Sequence, residues 1–330
     1  MLTRLYFIGF IFLFFTFSCQ KEINTSTPEK EADTTFVNNF SGYQLTMDTL
    51  TWEQQAINYI IDPQISEISG IVPSYANDSC FWVHEDSGSE GRLLLYNTKG
   101  KLKGHYTFHG LGPVDMEDIA IVPNFNGTTT AKIFVGDFGD NSKARTTHRI
   151  FVMDDVLIED KDKEASNVSI IEYVYPTNED GEPVKKDCEA FFVDPLSMSM
   201  YFFTKEYTVS YIYKLDYPYN ENTTDTLEYI GMFSRTRDKI TAADISGDGA
   251  DIIIKTYGQV FYWKRELQES WSSMVAILVD SVLKTQPVLL PYQPEVQGEA
   301  ICWGTNKRSY TTISEISNGI PASLNHYLIK

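Results

Sequence analysis

Cysteine is scarce in this chain, with four in 330 residues. Cys19 stands alone near the N-terminus. Cys80, Cys188 and Cys302 each lie in or beside an apolar run, where a thiol behaves as a small buried hydrophobe. An odd number leaves at least one unpaired, and a chain of this length can bury a core without disulfide staples. Positive charge is also short, at 27 Lys and Arg against 45 Asp and Glu. That balance excludes a nucleic-acid backbone as partner, which calls for a basic patch. No block of like charges forms an interaction tail. No Gly-x-Ser-x-Gly elbow, phosphate-binding loop or dinucleotide fingerprint is present, and no His or Cys cluster has zinc spacing.

Long apolar runs are missing apart from one, Leu5 to Phe17, which is too short to span a bilayer comfortably. Arg4 precedes it and Phe17-Ser18-Cys19 ends it, the shape of a secretory signal. Ser18-Cys19 resembles a bacterial lipobox, which implies that residues 1–18 are removed and Cys19 is acylated. Gln20-Lys21-Glu22 resembles the export tag of surface lipoproteins in the Bacteroidetes group. The implied location is the outer membrane, lipid-anchored and surface-exposed, with the periplasmic face as the alternative. Residues 19–45 read as a lipidated flexible tether, polar at least to about Asn39, and residues 46–330 as one domain.

What the chain has in quantity is aromatic residues and short strand-like runs: 20 Phe, 20 Tyr and 5 Trp suit pleated sheet. Five runs begin with an oxygen-bearing side chain: Ser69-Gly-Ile-Val-Pro, Glu117-Asp-Ile-Ala-Ile-Val-Pro, Glu189-Ala-Phe-Phe-Val-Asp-Pro, Thr241-Ala-Ala-Asp-Ile and Glu299-Ala-Ile-Cys-Trp. They start 48, 72, 52 and 58 residues apart, a repeat length that suits propeller blades. Three further strand candidates, set off by turn residues, follow most of them. The fold class is therefore all-β, a five-bladed propeller of four-stranded antiparallel blades. A sixth blade would have to hide in the 72-residue repeat, which instead holds a charged insert, Glu159 to Ala165. Glu266 to Val282 reads as a helical insert in the fourth blade. The last repeat has three strands, so the segment from Thr49 to Ile61 is expected to supply its fourth and close the ring.

If each run is an innermost strand, Ser69, Glu117, Glu189, Thr241 and Glu299 converge at the mouth of the central channel. Three carboxylates there repel strongly at low dielectric. A divalent cation offsets the repulsion, and an all-oxygen donor set suits Ca²⁺ better than the stricter Mg²⁺. The alternative is that these groups accept backbone N–H bonds and pin blade to blade. Second strands end at the same mouth, bringing His84, Glu85 and Asp86; Asp137, Asp140 and Asn141; Lys205 and Glu206; Lys255; and Glu315. His84 and Asp137 are candidate general bases; Lys205 and Lys255 are candidate anion contacts. Asp244-Ile-Ser-Gly-Asp-Gly begins like an EF-hand loop, but Lys255 stands where the loop needs a bidentate Glu, so an Asp-Gly strand turn fits better.

The order Ser, Glu, Glu, Thr, Glu at blade starts resembles the calcium-activated nucleotidase (apyrase) family. The resemblance rests on Ser69-Gly-Ile-Val with His84-Glu-Asp-Ser-Gly, Glu117-Asp-Ile-Ala-Ile-Val with Phe134-Val-Gly, Glu189-Ala with Tyr201-Phe-Phe, and Gly298-Glu-Ala-Ile. It implies five blades and one axial Ca²⁺ held at the blade starts. The family's basic phosphate-gripping residues have no clear counterparts. The same motifs, with Gly136-Asp-Phe-Gly-Asp-Asn141, Phe203-Thr-Lys-Glu206 and Ala243-Asp-Ile-Ser-Gly-Asp-Gly249, resemble a group of uncharacterised bacterial secreted propellers. Two function classes stay open: a Ca²⁺-dependent phosphoester or ester hydrolase, and a module binding a small molecule, glycan or protein around a structural ion. A monomer is expected.

Overall fold

A computed structural model describes residues 35–40, 45–48, 52–54, 58–60, 65, 67–86, 91–108, 110–159, 162–220, 222–234, 238–269, 274–276 and 279–330. The signal segment, Cys19 and the first part of the tether lie outside the described residues.

Five runs rich in Ile, Val, Phe and Ala form strands buried at every position: Ile68–Pro73, Met116–Val122, Cys188–Val193, Ile240–Ile245 and Gly298–Trp303. A strand covered on both faces has no use for the polar alternation of a surface strand. Each neighbours the next in a closed order from blade one to blade five and back to one. They are the inner strands of a five-bladed β-propeller. Each blade continues outward by antiparallel pairing. Blade one adds Cys80–Glu85, Arg92–Asn97 and Leu102–Thr107; blade two adds Lys132–Asp137, His148–Asp154 and Ser169–Val174. Blade three adds Met200–Thr204, Val209–Leu215 and Glu228–Ser234; blade four adds Asp251–Thr256, Val260–Lys264 and Val288–Leu290. Blade five adds Ser309–Ser314 and Ala322–Ile329.

Blade five is completed from the other end of the chain. Trp52–Gln54 and Asn58–Ile60 both pair antiparallel with Ala322–Ile329. Trp52 fixes this closure by packing its ring 5.7 Å from Trp303 and 5.1 Å from Tyr310.

Apolar clusters fill all five interfaces between successive blades. Between blades three and four, Phe203, Phe233 and Trp263 stack at 6.0 and 5.5 Å. Burying a side chain of this size contributes roughly 2 kcal/mol. Polar locks join the same interfaces at the face away from the mouth. Asp155 of blade two accepts the indole N–H of Trp82 at 2.8 Å and the backbone N–H groups of Tyr75 and Ala76 in blade one. Arg265 of blade four forks onto Asp194 of blade three at 2.6 and 3.0 Å, both side chains buried.

Two local readings are corrected and one is borne out. The tether does not run flexibly to residue 45: Phe36–Asn39 pairs parallel with Glu228–Ser234 on the outer edge of blade three, because Phe36 and Phe40 have an aromatic site there against Phe233. Glu266 to Val282 is not one helix. It holds a hairpin of Leu267–Glu269 and Met274–Ala276, and only Val279–Leu283 is helical, with Val279, Val282 and Leu283 buried against blade four. The charged insert of the second repeat forms no blade; Lys163–Glu164 joins the outer edge of blade one.

One feature recurs in all five blades. The ladder between first and second strands slips by one residue between Ile68 and Gly70, Met116 and Asp118, Cys188 and Ala190, Ile240 and Ala242, and Gly298 and Ala300. The bulged residues are Ser69, Glu117, Glu189, Thr241 and Glu299. A bulge takes one residue out of register and re-aims its side chain. The crowding that accompanies it is tightest at Gly70, where a Cβ would stand 2.1 Å from His84 Nε2 and 2.8 Å from Ile119 Cγ2. Gly70→Ala is expected to lower unfolding free energy by about 1–3 kcal/mol, the usual range for overpacking. An unchanged denaturation midpoint would contradict the close approach of blades one and two.

Candidate metal centre

The five bulged side chains are all buried, but their oxygens are not equivalent. Ser69 Oγ donates to the backbone carbonyl of Glu117 at 2.6 Å. Thr241 Oγ1 lies 3.3 Å from both the Gly298 carbonyl and Lys255 Nζ. Glu299 Oε1 accepts the Tyr257 hydroxyl at 2.7 Å. Glu117 and Glu189 meet: their carboxyl groups are in contact, and Glu189 Oε1 has no donor directed at it. Glu189 Oε2 takes Lys205 Nζ at 2.7 Å.

Around Glu117 the acidity deepens. Asp86, Asp115 and Glu117 each place an oxygen within 4.8 Å of the other two. That is about twice a Ca²⁺–O distance, close enough for any two of them to share one ion. Gly139 makes the space, since a Cβ there would stand 2.2 Å from Glu117 Oε1 and 2.5 Å from Asp115 Oδ2. Burial, then the nearby Glu189 and Asp86, push the Glu117 carboxyl well above the ordinary range. Burial raises Glu189 as well, against the opposing pull of Lys205. Without a cation, this pair is relieved by holding a proton. The donor set is all oxygen and strongly anionic, which fits a hard divalent cation.

Asp115 was not singled out by sequence; it lies just ahead of the strand Met116–Val122, two residues before the bulged Glu117.

Lys205 carries the cationic side of the mouth. Burial works against its charge, but Glu189 and Glu299 raise it above the usual lysine value. Beyond it opens a cleft of about 310 Å³ lined by Asn141, Lys205, Tyr207, Asp238, Lys239, Tyr257 and Gln297. Glu315, held near pKa 7 by burial and by Glu299 and Glu67, belongs to the same mouth.

Other expected mouth residues have structural partners. Glu85 pairs with Arg92 at 3.0 Å; Glu206 pairs with Lys143 at 3.2 Å and Lys186 at 3.8 Å. Asp140 accepts the backbone N–H groups of Ala144 and Arg145, shaping its own loop. Lys255 is fully buried between blades four and five, bonded to Thr241, the Thr256 carbonyl and the Gly298 carbonyl. The two candidate bases are not placed for that role. Asp137 is fully buried, with one oxygen on Arg145 at 3.1 Å and the other on Arg149 at 2.5 Å. His84 is fully buried beside Gly70, its Nδ1 3.0 Å from the Glu85 carbonyl, and burial drops its pKa to about 4. The Asp244 segment is a strand connection, with Ser246 N–H donating to the Asp251 carbonyl at 2.8 Å.

Neither a family model nor a curated protein sequence matches this chain. Among solved structures, similarity extends to an oxidoreductase described as a glucose dehydrogenase from Thermus thermophilus, with TM-score 0.43, 8% identity, and coverage of 84% of this chain and 100% of that one. U3-55K is similar at TM-score 0.41 and 8% identity, with the same coverage. Likeness at this level is no guide to function.

His84 gives a test of the buried, neutral ring. As pH falls below about 6.5 the unfolded chain takes up its proton first, and the folded chain does so only near 4. The contribution of His84 is complete above 6.5 and drains away between 6.5 and 4. The stability advantage of the wild type over His84→Gln should therefore shrink from pH 7 to pH 4.5 in urea titrations. A constant advantage would place His84 in contact with solvent.

Proposed function

We propose that this protein is a lipid-anchored, extracytoplasmic propeller that binds one Ca²⁺ at its mouth and uses the ion to hold a small oxygen-rich ligand in the adjoining cleft. The observation that carries the reading is the fivefold bulge, which turns the first oxygen-bearing residue of every inner strand out of its ladder. Five independent slips at one level serve no purpose in strand pairing, and bulges next to functional sites re-aim side chains. The ligand set supported best is Glu117, Asp115 and Asp86, with Glu189 joining as the ion displaces Lys205. Glu299, Ser69 and Thr241 complete the ring around it without direct contact being required.

The cleft residues then act in defined ways. Lys205, released from Glu189, faces the ligand as a point charge. Asn141, Gln297, Tyr207 and Tyr257 supply donors and acceptors for its oxygens. The ion neutralises a mouth that would otherwise repel any anion. Attachment through Cys19 would hold this mouth at the cell envelope, since two or more acyl chains anchor stably.

Metal-assisted hydrolysis is the second reading. It is favoured by the open cleft next to the carboxylates, where a cation could polarise a bound ester or phosphoester. The burial of His84 and the double ion pair on Asp137 leave that reaction without its expected base, so binding comes first.

Isothermal titration with CaCl₂ tests the site. Saturable 1:1 binding is expected, with Glu117→Gln weakening it by about a hundredfold or more. Lys205→Met should tighten it, because the competing ammonium at Glu189 is gone. Ca²⁺ should also raise the melting temperature of the wild type by mass action. No heat and no melting shift at millimolar Ca²⁺ would overturn the reading. Ca²⁺-dependent turnover of a phosphoester or carboxylic ester, lost in folded Glu117→Gln, would move it to the hydrolase.

A further inference from the structure

A second crevice lies away from the mouth, where the loop after Val209–Leu215 of blade three crosses a face of blade two. It has a volume of about 290 Å³. Its aromatic wall is a chain of crossed rings: Phe134 to Phe125 at 5.4 Å and 60°, Phe125 to Tyr217 at 5.9 Å and 89°, and Tyr217 to Tyr219 at 5.3 Å and 86°. Asn167, Ser169 and Lys132 also line the crevice.

The wall is preformed. Asn126 Nδ2 of blade two donates to the Tyr217 hydroxyl at 3.1 Å, and the Tyr219 hydroxyl donates to the Met198 carbonyl. Tyr217 nevertheless leaves 38% of its surface exposed, and Pro218 is exposed beside it. Charge is balanced, because Lys132 Nζ pairs with Asp154 at 2.7 Å. The crevice therefore offers crossed aromatic rings, neutral amide and hydroxyl groups, and no uncompensated charge. An anion or cation gains nothing there. A ligand with apolar C–H faces and hydroxyl edges meets both the rings and the polar groups, and the volume suits one or two sugar rings.

We propose that this crevice is a binding subsite for a neutral saccharide unit, stacked on the exposed ring of Tyr217 and hydrogen-bonded at its edge to Asn167 and Ser169. It shares no residue with the mouth cleft and does not depend on the cation.

The test uses the full chain labelled with ¹³C at tyrosine rings, titrated with cellotriose, maltotriose and N,N′-diacetylchitobiose, with and without Ca²⁺. At least one probe should shift the Tyr217 and Tyr219 signals saturably, with the same midpoint in both conditions. Tyr217→Ala should weaken binding by about tenfold. Where that variant melts early, Asn167→Trp, which fills the exposed entrance without touching the core, should block the same shifts. Three outcomes overturn the proposal. One is no saturable shift up to about 50 mM of any probe. Another is shifts confined to Tyr207 and Tyr257 at the mouth. The third is tighter occupation of the crevice by the uncharged peptide N-acetyl-Gly-Phe-Gly-amide than by any saccharide.

Discussion

An antiparallel ladder points successive side chains to alternate faces of its sheet, and it offers no means of its own to turn one toward the end of the strand. The five bulges solve that problem at one level of the propeller. Each removes one residue from pairing at the point where an inner strand enters the mouth, and each removes the residue that carries an oxygen. The positions after the bulges are Gly70, Asp118, Ala190, Ala242 and Ala300, small in four cases because the inner strands come closest there. The site thus follows from a backbone irregularity repeated by the fold, and the blades serve as its mounts.

Charge is distributed unevenly around that ring. On the side of blades one to three, Asp86, Asp115, Glu117 and Glu189 face a single lysine, Lys205. On the side of blades four and five, Lys255 is already buried against Thr241 and the Gly298 carbonyl. Burial alone lowers the pKa of that lysine, while Glu295 and Glu299 pull it up. Lys205, bonded to Glu189, plays the corresponding part on the other half.

Much of this was legible in the residues. Oxygen-bearing positions followed by small and then apolar residues gave the inner strands, and Trp52 beside a three-stranded last repeat pointed to closure from the N-terminal side. Register was not legible, because a bulge is a relation between two strands and leaves no mark in either one. Asp115 went unnoticed because it lies outside the inner strand and the bulge at Glu117 breaks the alternation that would relate them. The buried fates of His84, Asp137 and Lys255 depend on partners such as Arg149 and Gly298 that only the folded ring supplies. Phe36–Asn39 was read as tether because four residues in a polar context carry little strand signal; its aromatic partner Phe233 lies almost 200 residues away.

Below the mouth, two more carboxylates bridge neighbouring blades. Asp118 of blade two accepts backbone N–H groups from Phe191 of blade three at 3.0 Å and Ala243 of blade four at 3.3 Å. Asp244 of blade four accepts from Trp303 of blade five at 2.7 Å. Asp118 thus ties three blades together through one carboxylate. Burial pushes Asp118 up and Asp244 to about 7, while the backbone donors hold both down. These acids spend their lone pairs on donors of neighbouring strands, so they staple the ring instead of offering themselves to an ion. The two layers therefore divide the labour. The lower acids are satisfied by the backbone, and the upper acids, turned out of register by the bulges, meet side chains at the mouth, Glu189 bonding to Lys205 and Glu299 to Tyr257.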